Sequence, residues 1–539
     1  MLDILIKNGE IIDGSGEKSF KSDIGLKDDR IHVISPEINM KSRETIDAKG
    51  NVVSPGFIDI HAHSDFTLLI NPKGESKIRQ GITTEVNGNC GFTAAPVVPE
   101  HFQDLMQCLK NTVILTDEEK KKWKWETQAD FIEQIGELGT SFNIAPLVGH
   151  TTIRVAAMGF ENRKPSNREL NKMLEMLQKE MDRGFFGFST GLEYNPGSFA
   201  TLLELVEMGK IVKEFDGIYA THMRSEGDKL LESISEAIQI AEKLGVSLEI
   251  SHFKAEGPKN WGKVKDGLKM IDEARENGVN VDFDQHPYTA YGSGLIDLIP
   301  PWAREQGSDK MLEIFKKEIY VEKIIKEMAS SSEEWENPME GCSWDSPVIA
   351  SIKKNRQYEG KSINQISKEM NCSPYQAVIE LLIKENAAVK MMFFGAICED
   401  DVQTVMKHPR TIFCTDARAV APYGKLSEGK IHPRYYGAYP KILGRYVREK
   451  QIISLEEAIK KMTLLPALKM KFKDRGLLKE GYHADLVIFD KDKILDLATF
   501  QDPHKYPQGI DYVIVNGNVV ISKGEHTGKL PGKILRKND

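Results

Sequence analysis

Two histidines end an apolar run near the start of the chain, in the segment GFIDIHAHSD at residues 56–65. His61 and His63 are separated by a single alanine, and alternate residues of a β-strand point to the same face. Their imidazoles would therefore project together and could hold a metal ion between them. Whether they do so depends on the ligands that the rest of the chain supplies.

Further residues of metal-ligating type follow other apolar runs, at positions where strands would end: Cys90, His222, His252 and Asp416. With His61 and His63 they make four imidazoles, one thiol and one carboxylate, which is a ligand set that zinc prefers. A single histidine at a strand end is more often a structural hydrogen-bonding residue. Six such residues at strand ends favour a catalytic metal site that keeps an open position for water.

Cys90 and Asp416 each have an alternative interpretation. Cys90 of NGNCGFT could be a nucleophile with a histidine base, or a small buried residue. Beside a cationic metal, however, its thiol would ionise and act as a ligand. Asp416 could cap a following helix. A carboxylate beside a metal can instead take a proton from the attacking water and return it to the leaving group, so we predict that Asp416 is the general base and acid.

The composition is that of a globular enzyme and argues against nucleic-acid and membrane partners. A chain of 539 residues is too long for one ordinary core, so we expect a large domain and at least one smaller one. The net charge of −8 and the absence of a dense basic stretch argue against a nucleic-acid surface. Early charged residues argue against a signal peptide, and no apolar stretch is long enough to span a bilayer. The scattered cysteines favour a reduced, cytoplasmic location.

Short β-rich runs alternate with helical segments between residues 57 and 469 and would position the candidate ligands. The eight runs are GFIDIHAH, ITTEVNGNCG, FNIAPLVGH, FFGFSTGLEY, GIYATHMRSE, VSLEISHFKAEG, VNVDFDQHPY and RTIFCTDA. This alternation predicts an α/β fold, a (β/α)8 TIM barrel whose catalytic face lies at the C-terminal ends of the strands. A long insertion after barrel strand 7, residues 294–385, is predicted to be a lid, with a passive surface elaboration as the alternative.

Both ends of the chain have short alternating strands separated by turn dipeptides such as Asn8-Gly9 and Asn516-Gly517. We predict one small β-sandwich domain built from residues 1–56 and 470–539, with the barrel of residues 57–469 inserted between them. Two unrelated β-caps are the alternative.

Taken together, these motifs resemble the amidohydrolase superfamily. Longer segments resemble its D-aminoacylase branch, the N-acyl-D-amino-acid deacylases: EVNGNCGFTAAP, GFSTGLEYNPG, THMRSEGDKLLESI, SHFKAEG and HPRYYGAYPKILGRYVRE. The resemblance extends from residue 1 to about residue 530. The predicted fourth strand has no lysine that could be carboxylated to bridge two metals, which counts against dihydroorotases and hydantoinases.

The resemblance implies specific roles for the candidate residues. Cys90, His222 and His252 would hold one tightly bound zinc ion, and His61, His63 and Asp416 would form a second, weaker position. Lys254 and Arg434 match positions that bind the substrate carboxylate, with Arg224 and Arg418 as rivals. Other matched substrate contacts are Tyr194, Tyr288 and Ser293. This chain has Thr415-Asp416-Ala417 where the family has Ser-Asp-Gly, which keeps the base but could alter the adjoining backbone.

The implied activity is zinc-dependent hydrolysis of N-acyl-D-amino acids to a carboxylate and a free D-amino acid. The preference for D over L comes from the resemblance alone. A D-specific dipeptidase, or another amidohydrolase of linear or cyclic amides, is the closest alternative. A non-catalytic scaffold is disfavoured because all six ligands are retained, and a cysteine hydrolase centred on Cys90 is disfavoured further.

Overall fold

The computed structural model describes residues 1–109, 123, 125–330 and 335–537. Its strands are β1 (Leu2–Ile11), β2 (Phe20–Lys27), β3 (Arg30–Ser35), β4 (Ser42–Asp47), β5 (Val52–Pro55), β6 (Phe57–Asp59), β7 (Ile82–Asn87), β8 (Asn143–Pro146), β9 (Val148–Gly149), β10 (Gly187–Gly191), β11 (Ile218–His222), β12 (Ser247–Ile250), β13 (Val281–Gln285), β14 (Ala290–Gly294), β15 (Pro347–Ser351), β16 (Lys390–Phe394), β17 (Thr411–Phe413), β18 (Leu486–Phe489), β19 (Ile510–Val515), β20 (Asn518–Ser522) and β21 (Glu525–His526).

The α-helices are Thr67–Ile70, Glu75–Ile78, Phe102–Cys108, Gln128–Leu138, His150–Met158, Asn167–Asp182, Leu202–Glu214, Leu230–Leu244, Val264–Glu276, Pro301–Arg304, Ser308–Ile314, Glu318–Met328, Ile363–Glu369, Pro374–Lys384, Glu399–Lys407, Arg434–Lys441, Leu455–Met462 and Leu464–Lys469. A π-helix spans Ile442–Glu449. Short 3-10 turns are Pro99–His101, Gly197–Phe199, Pro258–Asn260, Leu295–Leu298, Arg356–Tyr358 and Gly424–Ser427. None of the helices in the described part of the chain has the length and apolar character that a bilayer crossing requires.

A closed ring of parallel strands forms the (β/α)8 barrel. β6, β7 and β8 pair in that order, and β9, β10, β11, β12, β13 and β17 continue the ring. β8 and β9 are successive parts of the third barrel strand, and a parallel bridge between Ala62 and Ala417 joins the first strand to the eighth. Every residue of β7 and of β10 to β13 is buried, as expected for strands with helices outside and a packed interior inside.

The outer helices present apolar stripes to the barrel. In the helix Asn167–Asp182 the residues Met173, Leu177 and Met181 recur every fourth position, and all three are buried. Ser166 and Glu169 begin this helix with a capping box, in which each side chain accepts a hydrogen bond from the other residue's backbone N–H. The helix therefore starts at a defined residue and packs one defined face.

Strands from both termini form the small β-sandwich domain. Its hydrogen bonds run in the order β3, β2, β1, β5, β18, β19, β20 and β21, and β4 pairs with β1. At the hairpin between β19 and β20, Asn516 and Gly517 have φ angles of 46° and 74°, which suits a two-residue turn and favours these residue types. The division of the chain into a barrel of residues 57–469 and a terminal domain of residues 1–56 and 470–539 remains our proposal.

A three-stranded antiparallel sheet, in the order β14, β16, β15, follows barrel strand 7. β14 ends at the first residue of the predicted insertion of residues 294–385, β15 lies within it and β16 follows it, so the sheet is built from the insertion and both of its flanks. The rings of Tyr291 and Phe393 stack 5.4 Å apart within the sheet. Residues 331–334 of the insertion lie outside the described residues. The movement of the insertion as a lid stays a prediction.

Candidate metal and substrate site

Four imidazoles converge on the thiol of Cys90 at the C-terminal face of the barrel. The Sγ atom lies 3.2 Å from His61 Nε2, 3.8 Å from His63 Nε2, 3.8 Å from His222 Nδ1 and 3.6 Å from His252 Nε2. The histidines come from the ends of barrel strands 1, 5 and 6, and Cys90 follows strand 2. Residues far apart in the chain are therefore brought together by the closure of the barrel.

The backbone turns sharply where three of these residues leave their strands. Cys90, His252 and Asp416 have φ angles of 53°, 35° and 48°, in the left-handed region that non-glycine residues seldom adopt. Hydrogen bonds hold these turns: the backbone N–H of His252 donates to Asp284 Oδ1 at 2.8 Å, and that of Asp416 donates to the His61 carbonyl at 3.0 Å. Such turns are maintained only where the surroundings determine them, which is typical of functional sites.

Asp416 lies beside the imidazoles. Its Oδ1 is 3.3 Å from His63 Nε2, and its Oδ2 accepts a hydrogen bond from Arg434 at 2.6 Å. Burial acts to raise the pKa of Asp416, but the charge of Arg434 and the hydrogen bond from His63 hold it well below its ordinary value. The carboxylate is therefore ionised at neutral pH. The left-handed φ falls on Asp416 and not on Ala417, so alanine fits where the family has glycine.

The surroundings of Cys90 favour the ionised form of its thiol. Burial acts to raise its pKa, but the charge of His61 and hydrogen bonds from His222 and His252 lower it well below the ordinary value of a cysteine. A thiolate surrounded by imidazole nitrogens has the donor chemistry of a zinc site.

Three carboxylates face the histidine ring nitrogens that point away from Cys90; those of Glu226 and Glu193 lie within hydrogen-bonding distance, and that of Asp284 makes a longer ion-pair contact. Glu226 lies 2.8 Å from His252 Nδ1, Glu193 lies 2.6 Å from His222 Nε2, and Asp284 lies 3.5 Å from His61 Nδ1. Such outer carboxylates fix the orientation of metal-ligating histidines. Sequence patterns alone do not single out these carboxylates, although Glu226 ends a predicted β-rich run, Glu193 is the penultimate residue of another, and Asp284 lies inside a third.

The residues present fit zinc. Ligand atoms lie within 4.8 Å of one another in the sets Cys90–His222–His252, His61–His63–Cys90 and His61–His252–Asp416. A further set joins Glu193, His222 and Glu226. In that set, Glu193 meets the His222 nitrogen that points away from Cys90, so we interpret it as outer support rather than as a separate site.

A cavity of about 380 Å³ opens beside the candidate ligands, within the size range of small-molecule sites. Barrel loops supply one side of its lining, including Phe66, Phe92 and Tyr194, and the three-stranded sheet supplies the other, including Ser293 and Met391. The cavity is therefore bounded by both the barrel and the segment that follows strand 7.

The predicted substrate-binding residues fall into two groups. Tyr194, Lys254, Ser293 and Arg434 line the cavity. Tyr288 does not; it is buried behind the wall, with its ring 4.8 Å from that of His432.

The four cationic candidates for binding the substrate carboxylate are placed differently. Lys254 is hydrogen-bonded to Glu226, and Arg434 to Asp416. Arg224 points elsewhere, because it pairs with Glu236 at 2.9 Å and does not line the cavity. Arg418 does line it.

A buried ionic network lies behind the ligands. The Lys77 ammonium is 2.8 Å from each of Asp59 Oδ2, Glu85 Oε1 and Thr415 Oγ1. Asp59 in turn accepts hydrogen bonds from the backbone N–H groups of Thr415, at 3.0 Å, and His61, at 3.4 Å. The network thus joins the ends of barrel strands 1 and 8 next to His61 and Asp416. Nothing in the local sequence around Lys77 indicates this role.

Comparison with known proteins gives consistent findings. A family model described as "Amidohydrolase family" matches residues 44–332 and 385–521. N-acyl-D-glutamate deacylase of Alcaligenes xylosoxydans xylosoxydans is 32% identical over 538 residues, covering 100% of this chain and 97% of that protein. D-aminoacylase of the same organism is 31% identical over 535 residues, covering 99% of this chain and 98% of that protein. The crystal structure of N-acyl-D-glutamate deacylase from Bordetella bronchiseptica, complexed with zinc and a phosphonate mimic of the tetrahedral intermediate, superimposes with a TM-score of 0.82 at 31% identity, covering 99% of each chain.

Proposed function

The chain belongs to the amidohydrolase family, and we propose that it is a zinc-dependent deacylase that hydrolyses N-acyl-D-amino acids to a carboxylate and a free D-amino acid. The observation that carries this proposal is the convergence of four imidazoles on the Cys90 thiolate, with the ionised Asp416 beside them at the wall of a substrate-sized cavity. The full-length similarity to N-acyl-D-glutamate deacylase and D-aminoacylase supports the substrate class.

We propose that Cys90, His222 and His252 hold one tightly bound zinc ion, and that His61, His63 and Asp416 form a second, weaker position. Bound zinc in such a site polarises the scissile carbonyl and makes the attacking water more acidic. The carboxylates of Glu193, Glu226 and Asp284 keep the three histidine rings in the orientation that this binding requires.

Asp416 moves the proton. Its carboxylate is ionised, its Oδ2 is held by Arg434, and its Oδ1 lies on the side of the candidate ligands, 3.3 Å from His63 Nε2, so Oδ1 would take the proton from the attacking water. As the carbon–nitrogen bond breaks, Asp416 returns this proton to the amine, which leaves as the free amino acid. A carboxyl group whose pKa is held low gives the proton up readily to an amine.

We propose that Arg434 and Lys254 bind the α-carboxylate of the substrate, as the matched family positions do. Both are cationic and line the cavity beside Asp416. Tyr194 and Ser293 would contact the rest of the substrate, and Tyr288 would act from behind the wall. The six cysteines, all of which lie in the described part of the chain, are free thiols, and this supports a cytoplasmic location.

Amine release from paired N-acetyl-D- and N-acetyl-L-amino acids, with zinc present, tests the proposal. The pairs should cover methionine, phenylalanine, leucine, glutamate and aspartate. We expect release from D-forms only. Release from L-forms at equal rates, or from neither, contradicts the deacylase assignment; peptides ending in a D-residue would then test the dipeptidase alternative.

A further inference from the structure

Five cationic side chains line the cavity, and they differ in whether a carboxylate neutralises them. Lys254 is hydrogen-bonded to Glu226, Arg434 lies 2.6 Å from Asp416, and Arg304 lies 3.3 Å from Asp297. The other two cations are Lys390 and Arg418. Within the described residues, neither of these two side chains forms an ion pair or a hydrogen bond, and Arg418 Nε is a buried nitrogen without a hydrogen-bond partner. In this part of the chain, the Arg418 guanidinium contacts only an aromatic face, that of Tyr435, at 5.7 Å from the ring centroid.

Lys390 is placed to face the cavity by its register in the small sheet. It is the first residue of β16, where it is paired with Gly294 of β14 and with Ser351 of β15. Directly paired residues share one face of a sheet, and both of these neighbours are small residues that also line the cavity. The lysine side chain is therefore not covered by its neighbours.

Lys390 and Arg418 both line the same cavity. Burial and the charge of Arg418 lower the pKa of Lys390 well below its ordinary value, because two like charges share a partly desolvated wall. Carboxylates near this wall have other cationic partners: Glu428 lies 3.4 Å from Arg356, and Asp297 pairs with Arg304. An anion placed beside Lys390 and Arg418 would favour the charged form of the lysine and offset the repulsion between the two side chains.

We propose that Lys390 and Arg418 bind a second carboxylate of the substrate, so that the preferred substrates are N-acyl-D-amino acids carrying two carboxylates. This inference rests on the proposed function, in which Arg434 and Lys254 bind the α-carboxylate. The second carboxylate belongs either to an acidic D-amino-acid side chain or to a dicarboxylic acyl group. The chemistry that recognises it is the same in both cases.

The test compares kcat/KM within pairs of substrates that differ in one charge. The side-chain arm pairs N-acetyl-D-glutamate with N-acetyl-D-glutamine and N-acetyl-D-aspartate with N-acetyl-D-asparagine. The acyl arm pairs N-succinyl-D-methionine with N-pentanoyl-D-methionine. We expect the carboxylate to raise kcat/KM by about tenfold or more in one arm, as expected for a charge-assisted hydrogen bond, and the arm that responds identifies the source of the carboxylate.

Two variants connect the preference to these residues. Lys390→Met and Arg418→Met should each lower the ratio of kcat/KM between the charged and the neutral substrate by about tenfold. Lys353→Met is the matched control, because Lys353 is an exposed lysine shortly after β15 that does not line the cavity, and its ratio should equal that of the wild type.

Equal or faster turnover of the neutral substrate in every pair would overturn the inference while leaving the proposed function intact. An equal loss of kcat/KM on charged and neutral substrates in Arg418→Met would also overturn it, since Arg418 would then bind the α-carboxylate. Amine release from no acylated D-amino acid would refute the proposed function and this inference with it.

Discussion

Cys90 is the residue around which the site is organised. Its burial would ordinarily favour the neutral thiol, yet four imidazoles surround it and three of them lower its pKa. A nucleophilic cysteine needs one histidine as its base, whereas four rings around one sulfur match a metal-binding set. The outer carboxylates Glu193, Glu226 and Asp284 strengthen this interpretation, because each meets the second nitrogen of a histidine that faces the sulfur.

Asp416→Asn should keep the metal and lose turnover. The amide is nearly isosteric with the carboxylate but cannot accept the proton, so kcat should fall by about 10²- to 10⁴-fold. Zinc content measured by mass spectrometry and kcat for an N-acetyl-D-amino acid are the two readouts. Asp492→Asn, at an exposed loop position, is the control and should behave as the wild type. Unchanged kcat in Asp416→Asn would contradict the role of Asp416.

The candidate ligands could be predicted from sequence because each follows an apolar run, and parallel strands end at one face of the barrel. The outer partners could not be selected in this way, because an acidic residue near a strand end is common and its partner is set by the fold. Glu193 and His222, 29 positions apart in the chain, meet only after strands 4 and 5 pair. Lys390 could not be selected for a similar reason, because its exposure to the cavity depends on its small neighbours in the sheet.

At the level of elements, the ends of barrel strands 1 and 8 are joined by the Asp59–Lys77–Thr415 network and by the bridge between Ala62 and Ala417. These contacts lie next to two candidate ligands, so the network sets the spacing of His61 and Asp416. Lys77 is fully buried with two carboxylates, Asp59 and Glu85. A buried charge cluster of this kind depends on every member being present.

Lys77→Met should therefore destabilise the protein and disturb the site. Removing the ammonium leaves Asp59 and Glu85 buried without their cation, which should lower the free energy of unfolding by about 3–5 kcal/mol. Urea denaturation followed by circular dichroism measures this change. Lys172→Met, an exposed lysine on a helix, is the matched control with no expected effect. A Lys77→Met protein as stable as this control would mean that the network is not needed to join the strands.

The barrel strands were predictable as elements, since each of them lies inside one of the eight β-rich runs. The small sheet after strand 7 was not. β14 and β16 lie on either side of the predicted insertion, and β16 becomes a central strand only by pairing with two partners distant in the chain. Local sequence records the apolar character of such a strand but not its partners.

At the scale of the whole molecule, the domain built from both termini packs against the barrel. Phe489 of β18 lies 6.4 Å from the ring of Phe57, the first residue of barrel strand 1, and both are fully buried. The terminal strands thus help to support the first barrel strand. Their contact is made at Phe57, two residues before Asp59 of the buried ionic network. Sequence predicts that the termini meet, from their shared turn chemistry, but not which residues pack between the units.

Phe489→Ala should lower the free energy of unfolding by about 3–5 kcal/mol, because it opens a cavity between the two units. Urea denaturation again provides the measurement. Phe20→Ala is the matched control, since Phe20 belongs to the same sheet but is 45% exposed, and its effect should be small. Equal effects of the two substitutions would show that the units do not depend on this contact.

Zinc K-edge X-ray absorption of the protein loaded with one equivalent of zinc tests the central claim most directly. If Cys90, His222 and His252 are the ligands, the spectrum should show one sulfur scatterer at about 2.3 Å from zinc together with imidazole nitrogens. The sulfur contribution should disappear in Cys90→Ser. A wild-type spectrum with nitrogen and oxygen scatterers but no sulfur would contradict the assignment of Cys90 as the centre of the metal site.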